Sequence, residues 1–99
     1  MRIVNVRKGE FFKVLGGTEK SQIAVMSIKP GEDSGEEGVH TGDQILYVID
    51  GEARAVVAGE EEKVKQGEAL IIPAKTKHRI YNDGPKELFS LNFYAPPQY

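Results

Sequence analysis

The chain has 99 residues, which is enough for one domain with a modest hydrophobic core. Hydrophobic residues make up 39% and charged residues 28%, a composition typical of globular proteins. The formal net charge is −2, and acidic and basic residues are mixed along the chain, which argues against nucleic-acid binding through a basic face. The absence of cysteine excludes disulfides, thiolate catalysis and thiolate metal sites.

No segment approaches the roughly 20 apolar residues that a membrane-spanning helix needs. The first residues, 1–6, alternate in the manner of a strand and lack the apolar core of a signal peptide. We therefore expect a cytoplasmic protein with no membrane partner.

Glycine and proline turn signals recur at short intervals and separate segments rich in Val, Ile, Phe and Tyr. This pattern predicts an all-β sandwich or barrel. The Asp50-Gly51 pair predicts a tight hairpin, and Ala58-Gly59 predicts a second one. The predicted strands cover residues 2–7, 11–15, 21–29, 36–40, 44–50, 52–58, 61–65, 69–73, 77–82 and 87–95.

The predicted strand 44–50 has apolar residues on both faces. If Gln44, Leu46 and Val48 point inward, then Ile45 and Tyr47 point outward, where a half-exposed strand would carry polar residues. The outer face therefore needs a cover, and a second copy of the chain in a homodimer is the expected one. The alternative cover is a flap formed by the N-terminal strands of the same chain.

The second half of the sequence contains a spaced motif. Gly67 is followed after five residues by Pro73, and His78 is followed after three residues by Asn82. This spacing resembles the second sequence motif of the cupin family, in which Gly, Pro-x-Gly, His and Asn occupy these positions. The departure is Lys75, which stands where the family has glycine, a residue that tolerates a positive φ angle.

An earlier segment resembles the second half of the first cupin motif. His40, Gln44 and Gly51 have its spacing, with three and then six residues between them. The family has histidine at the position of Gly38 and glutamate at the position of Gln44. The two motifs, at about 35–51 and 67–82, predict a single cupin domain over residues 1–99, folded as a double-stranded β-helix, a jelly-roll-like barrel.

The resemblance implies a metal site formed by His40, Gln44 and His78 at the mouth of the barrel. Two imidazoles and an amide oxygen suit a divalent transition metal such as Zn, Ni, Fe, Mn or Cu. Three protein ligands leave positions open for a small-molecule ligand. Glu36 shares strand parity with Gly38 and His40 and is a possible additional ligand.

The pocket that the resemblance implies is expected to be lined by Met26, Ile28, Leu46 and Ile80. On the last strand, one of two sets of side chains faces this pocket, and the sequence leaves the choice open. One set is apolar and the other polar: Phe89, Leu91 and Phe93, or Ser90, Asn92 and Tyr94. Asn82 is expected to close a turn at a strand end.

Fold-level resemblance implies no single reaction, because the cupin fold carries many functions. The first hypothesis is a metal-dependent enzyme of the isomerase, lyase or dioxygenase type that acts on a small oxygen-rich molecule. The second is a non-catalytic cupin that binds or senses a small ligand, and the third is a dimeric scaffold with a vestigial metal site. The sequence leaves open whether the protein is an enzyme.

Overall fold

The structure is a computed structural model that describes residues 1–99. It contains eight β-strands and no helix, and hence no helix able to cross a membrane. The strands are β1 (Phe12–Gly17), β2 (Gln22–Ile28), β3 (Asp43–Asp50), β4 (Glu52–Val57), β5 (Glu60–Lys65), β6 (Ala69–Ile72), β7 (His78–Tyr81) and β8 (Leu88–Ala95).

The strands form two antiparallel sheets. The larger sheet has the order β1-β2-β8-β3-β6, and the smaller has the order β5-β4-β7. Their inner faces share one hydrophobic core, to which both sheets contribute β-branched and other aliphatic side chains. The buried residues of this core are Met26, Ile28, Leu46, Val48, Ala53, Ala55, Val64, Ile80 and Leu88.

Alternation along β3 sets which side chains enter the core. Gln44, Leu46 and Val48 are buried, whereas Ile45 and Tyr47 are exposed. The period of two therefore gives the inward and outward faces that the sequence predicts. The same alternation on β7 buries His78 and Ile80 and leaves the residues between and after them half-buried.

One of the two predicted hairpins forms. Ala58 and Gly59 both have positive φ angles and connect β4 to β5, whose pairing ends at Val57 and Glu60. The prediction of a hairpin at Asp50-Gly51 is wrong, because β3 and β4 belong to different sheets.

Gly51 marks the point where the chain passes from the larger sheet to the smaller one. It has a φ of 87° and is buried. A Cβ atom there would lie 2.8 Å from the carbonyl oxygen of Glu87, so the position needs glycine for space as well as for its backbone angle.

Two predicted strands do not form. Residues 2–7 alternate like a strand but make no ladder in the structure, and residues 36–40 form only an isolated bridge at Gly38. Residues 36–40 meet the edge of β7 only at Gly38, and residues 2–7 pair with no strand, so pairing rather than propensity decides whether a strand forms.

The outer face of the larger sheet is only partly covered. The N-terminal segment runs beside it, with Gly9 donating to the Ser27 hydroxyl and Arg2 to the carbonyl of Leu15. Beyond this segment, a row of cross-strand neighbours stays open to solvent: Ile71, Ile45 and Phe93. The chain's own flap therefore covers one part of this face and leaves the other part exposed.

Candidate metal and ligand site

A cavity of about 270 Å³ opens at one end of the molecule. It is bounded by both sheets, by the loop between β2 and β3, and by the C-terminal tail. The side chains or backbone of the following residues line it: Phe11, Phe12, Met26, Ser34, Glu36, Gly38, His40, Gln44, His78, Ile80, Tyr94 and Tyr99. The three predicted metal ligands, His40, Gln44 and His78, therefore meet in one cavity.

A buried chain of hydrogen bonds holds the Gln44 side chain. Its Nε2 donates to Oδ1 of Asn92 at 3.0 Å, and Asn92 Nδ2 donates to the Ser90 hydroxyl at 3.1 Å. Ser90 in turn donates to the carbonyl oxygen of Met26. This network fixes the orientation of the Gln44 amide. Its Nε2 is occupied by the hydrogen bond to Asn92, whereas its Oε1 is buried with no hydrogen-bond partner.

His78 begins β7, and its imidazole has a defined orientation. Nδ1 lies 3.0 Å from the carbonyl oxygen of Thr76, which can only accept a hydrogen bond. Nδ1 therefore carries the proton of the neutral ring, and Nε2 carries the lone pair. Nε2 points toward Gly38, where an added Cβ would lie 3.3 Å from it. A histidine held in this way by a backbone carbonyl is typical of a metal ligand.

His40 lies in the loop before β3, and its ring centroid is 4.8 Å from that of His78. Its carbonyl oxygen accepts a hydrogen bond from the amide of Lys75, so the two motif segments are tied together at this point. Its Nδ1 is buried without a partner. Burial lowers the pKa of His40, the neighbouring His78 lowers it further, and the Gln44 side chain opposes the shift.

Lys75 departs from the glycine of the family motif but adopts the backbone angle that glycine tolerates. Its φ is 61°, in the left-handed region where the family has glycine. The tight turn therefore forms with lysine, and it brings the Lys75 amide to His40.

Glu36 lies in the loop between β2 and β3, as His40 does. Its side chain lines the cavity but is exposed. The structure contains no group of three His, Cys, Asp or Glu side chains close enough to hold one metal ion. Glu36 lines the cavity without forming such a group with the two histidines, and Gln44 lines it as well. A role for Glu36 as an additional ligand stays a prediction.

The predicted lining residues divide into two pairs. Met26 and Ile80 line the cavity, whereas Ile28 and Leu46 lie in the closed core behind it, almost without exposed surface. Strand parity placed all four on inner faces, but it cannot tell how far along the barrel the cavity extends. On β8 the polar set faces inward: Ser90, Asn92 and Tyr94 are each buried, and Phe93 is exposed.

Asn82 has the structural role expected of it. Its Nδ2 donates to the carbonyls of Ile28 and Lys86, and its Oδ1 accepts from the amide of Gly84. Its hydrogen-bonding capacity is used inside the fold, so Asn82 fastens the turn before β8.

Aromatic residues of the cavity were missed by sequence reasoning. Phe11 and Phe12 precede or begin an edge strand, and Tyr99 lies in the C-terminal tail. A signal for Tyr99 was absent, because only the folded chain brings the tail back to the Gln22 side chain.

Two antiparallel sheets around one core, with two histidines and a glutamine at an open end, define the class of a double-stranded β-helix with a candidate metal site. The chain belongs to the cupin family: a model of the cupin domain (Cupin_2) matches residues 24–94. The matched region includes both motifs and all three candidate metal ligands.

The chain is similar to several known proteins. The crystal structure of BH2720 from Bacillus halodurans has a TM-score of 0.88 and 33% identity, over 94% of this chain and 75% of that one. A predicted oxalate decarboxylase (tm1287) from Thermotoga maritima has a TM-score of 0.78 and 25% identity, over 87% and 79% of the two chains.

Among curated proteins, the tetracenomycin polyketide synthase protein TcmJ of Streptomyces glaucescens is 30% identical over 83 residues, covering 81% of this chain and 56% of TcmJ. The chain spans about half the length of the curated relatives it matches.

Proposed function

We propose that this cupin holds a divalent transition metal with His40, Gln44 and His78 and thereby binds a small oxygen-bearing molecule in the cavity. One observation carries the proposal. His40 Nδ1 and Gln44 Oε1 are buried without hydrogen-bond partners, and Nε2 of His78 is left with its lone pair in the same cavity. Buried polar atoms normally have partners, so two such atoms on residues that line one cavity support a ligand held between these residues.

The donor set fits such a metal. Imidazole nitrogen suits Zn, Ni, Cu and Fe, and an amide oxygen also admits Mn. When bound, the metal supplies a Lewis acid that polarises a coordinated carbonyl or carboxylate oxygen. All three ligands are neutral, so an anionic oxygen ligand would find no competing negative charge among them.

The remaining cavity residues have distinct roles in this proposal. Thr76 holds the ring of His78, and Asn92 holds the amide of Gln44. Glu36 is the only carboxylate side chain among the lining residues, so it is the candidate for moving a proton to or from a bound molecule. Catalysis, as opposed to binding, therefore depends on Glu36.

The names of the relatives do not give one reaction. One is described as a predicted oxalate decarboxylase, and another is part of a polyketide synthase. They support a site that binds oxygen-bearing compounds, and the substrate has to be argued from the cavity itself.

We further propose that the protein acts as a homodimer. The support is the open part of the larger sheet's outer face, where Ile71, Ile45 and Phe93 are direct cross-strand neighbours and all remain exposed. A contiguous apolar row of this kind is a candidate interaction surface. A second copy related by a two-fold axis would bury it against the same row.

The metal proposal is tested by elemental analysis of tag-free protein expressed without added metal. We expect a near-stoichiometric transition metal, lost in His40→Ala and in His78→Ala. Gln44→Ala should weaken metal binding, and Gln66→Ala, on the surface, is its control. Circular dichroism checks that each variant folds.

Absence of metal, combined with no thermal stabilisation by Mn, Fe, Co, Ni, Cu or Zn, would reject the proposal. Retention of the metal in both histidine variants would reject the assignment of its ligands.

A further inference from the structure

The cavity has two kinds of lining. One side carries the donor atoms of His40, Gln44 and His78, and the adjoining side carries Phe12, Tyr94 and Tyr99. We call these last three residues the aromatic wall.

The aromatic wall is continuous. The ring of Phe12 is 4.7 Å from that of Tyr99, and the ring of Tyr99 is 5.2 Å from that of Tyr94, measured between centroids. The wall reaches the metal ligands, because the ring of His40 is 5.5 Å from Tyr94 and 5.9 Å from Tyr99. A molecule bound at the donor atoms therefore has aromatic side chains beside it.

Tyr99 is held in place by the side chain of Gln22, which is itself buried. Gln22 Nε2 donates to a main-chain oxygen of Tyr99, and Gln22 Oε1 accepts from the amides of Gln98 and Tyr99. One side chain thus fixes two successive residues of the tail through three hydrogen bonds. Gln22 is a positioning residue for the aromatic wall.

We infer that the site selects molecules that join a flat aromatic ring to a chelating pair of oxygen atoms. The inference rests on the proposed metal function, because the metal would take the oxygens while the wall packs against the ring. The volume is adequate: a cavity of about 150 Å³ holds benzene, and this one measures about 270 Å³.

The test uses three hydroxamates that share one chelating group and differ in what is attached to it. Acetohydroxamate has a methyl group, benzohydroxamate a flat ring and cyclohexanecarbohydroxamate a puckered ring of similar bulk. Their affinities for the metal-loaded protein are measured by calorimetry and divided by their affinities for the free metal ion. An aromatic pair contributes about two- to tenfold in affinity, so we expect benzohydroxamate to exceed acetohydroxamate by about tenfold, with the cyclohexane compound well below benzohydroxamate.

Substitutions in the aromatic wall test whether its rings cause the preference for benzohydroxamate. Tyr99→Leu and Phe12→Leu keep an apolar side chain but lose the ring, and each should lower the ratio of benzohydroxamate affinity to acetohydroxamate affinity severalfold. Gln22→Leu should have the same effect as Tyr99→Leu. Tyr81→Leu is the matched control, because Tyr81 lies outside the cavity and packs against Arg54.

The outcomes separate the two proposals. Metal bound with no preference among the hydroxamates, or a preference that survives both ring variants, would overturn the aromatic inference and leave the metal site standing. If no metal binds, the proposed function fails and the aromatic inference fails with it.

Discussion

Gly38 and His78 are joined by two backbone hydrogen bonds, from the amide of each to the carbonyl of the other, at 2.8 and 3.0 Å. The imidazole of His78 lies over Gly38, so that a Cβ there would come within 3.3 Å of Nε2. Gly38 occupies the position where the first cupin motif has its first histidine. In this chain the missing side chain gives the His78 ring its space.

A methyl group at this position should therefore disturb the site more than the fold. Gly38→Ala is expected to push the His78 ring aside and to weaken metal binding by about ten- to hundredfold, the usual cost of disturbing residues that support a metal ligand. Isothermal titration with zinc measures the change. Val39→Ala, an exposed neighbour that does not line the cavity, is the control. Unchanged affinity in Gly38→Ala would show that the His78 ring has room to move.

Gln44→Glu restores the carboxylate of the family pattern. We expect it to destabilise the metal-free protein and to strengthen metal binding. Without metal, a carboxylate oxygen would face Oδ1 of Asn92 in a buried position. We expect the free energy of unfolding to fall by about 1–3 kcal/mol in the metal-free protein. With metal, the added charge should strengthen binding.

Urea denaturation of Gln44→Glu with and without zinc measures both effects. A variant that is destabilised equally in both conditions would contradict a role for residue 44 as a ligand.

Lys75 is expected to be a site where glycine stabilises the protein. A lysine in the left-handed region costs about 1–2 kcal/mol, and glycine would remove this cost while adding freedom to the unfolded chain worth about 0.4–1 kcal/mol. Lys75→Gly should therefore leave the free energy of unfolding unchanged or raise it by about 1 kcal/mol. Lys77→Gly, which has no positive φ to relieve, is the control and should destabilise. Thermal unfolding compares the two variants, and equal losses would contradict this account.

Asp50 links stability to pH. Hydrogen bonds from Lys8 and then Lys86 lower the pKa of its carboxyl group from 3.8 to about 2. Because the folded-state pKa is the lower one, the contribution of Asp50 to stability is present above about pH 4 and is lost as the pH falls through 2. Asp50→Asn should therefore be less stable than the wild type at neutral pH, and the difference should shrink as the pH falls toward 2 and vanish below it.

Chemical denaturation of both proteins across this pH range measures the difference. Glu19→Gln, at an exposed position, is the control and should track the wild type throughout. A gap between Asp50→Asn and the wild type that is independent of pH would assign the effect to packing instead.

Phe93 should report on the proposed dimer. Phe93→Glu places a charge at one end of the apolar row on the outer face, next to Ile45, and we expect a shift from dimer to monomer with the fold retained. Sedimentation velocity at several concentrations measures it. Glu61→Lys, a charge change on the other sheet, should leave the assembly unchanged. A wild-type protein that sediments as a monomer would reject the dimer.

The sequence was enough to predict which side chains of a strand point inward. It was not enough to predict which of these inward side chains line the cavity. Gln44, Leu46 and Val48 all point inward as the alternation predicts, but only Gln44 lies at the cavity. The choice between the two faces of β8 was open because Phe93 and Tyr94 are equally acceptable in a core. It is decided by register, which sets Tyr94 opposite Gln44.

Non-local pairing accounts for the other differences. Residues 2–7 have the composition of a strand, and Asp50-Gly51 has the composition of a hairpin turn. Their conformations depend on which strands lie nearby, and a local pattern carries no information on that. The spacing from Gly67 to Asn82, in contrast, describes one turn and one strand, and its local geometry is confirmed at Lys75 and Asn82.

The site also spans the boundary between the two sheets. Gln44 belongs to β3 of the larger sheet and His78 to β7 of the smaller one, and these sheets share no strand. A ligand or metal held by both side chains would act as a cross-link that clamps one end of the barrel. Release of the ligand or metal would let the two sheets separate slightly at that end. Hydrogen exchange of the β3 and β7 amides should therefore be slower when the cavity is occupied and faster when it is empty.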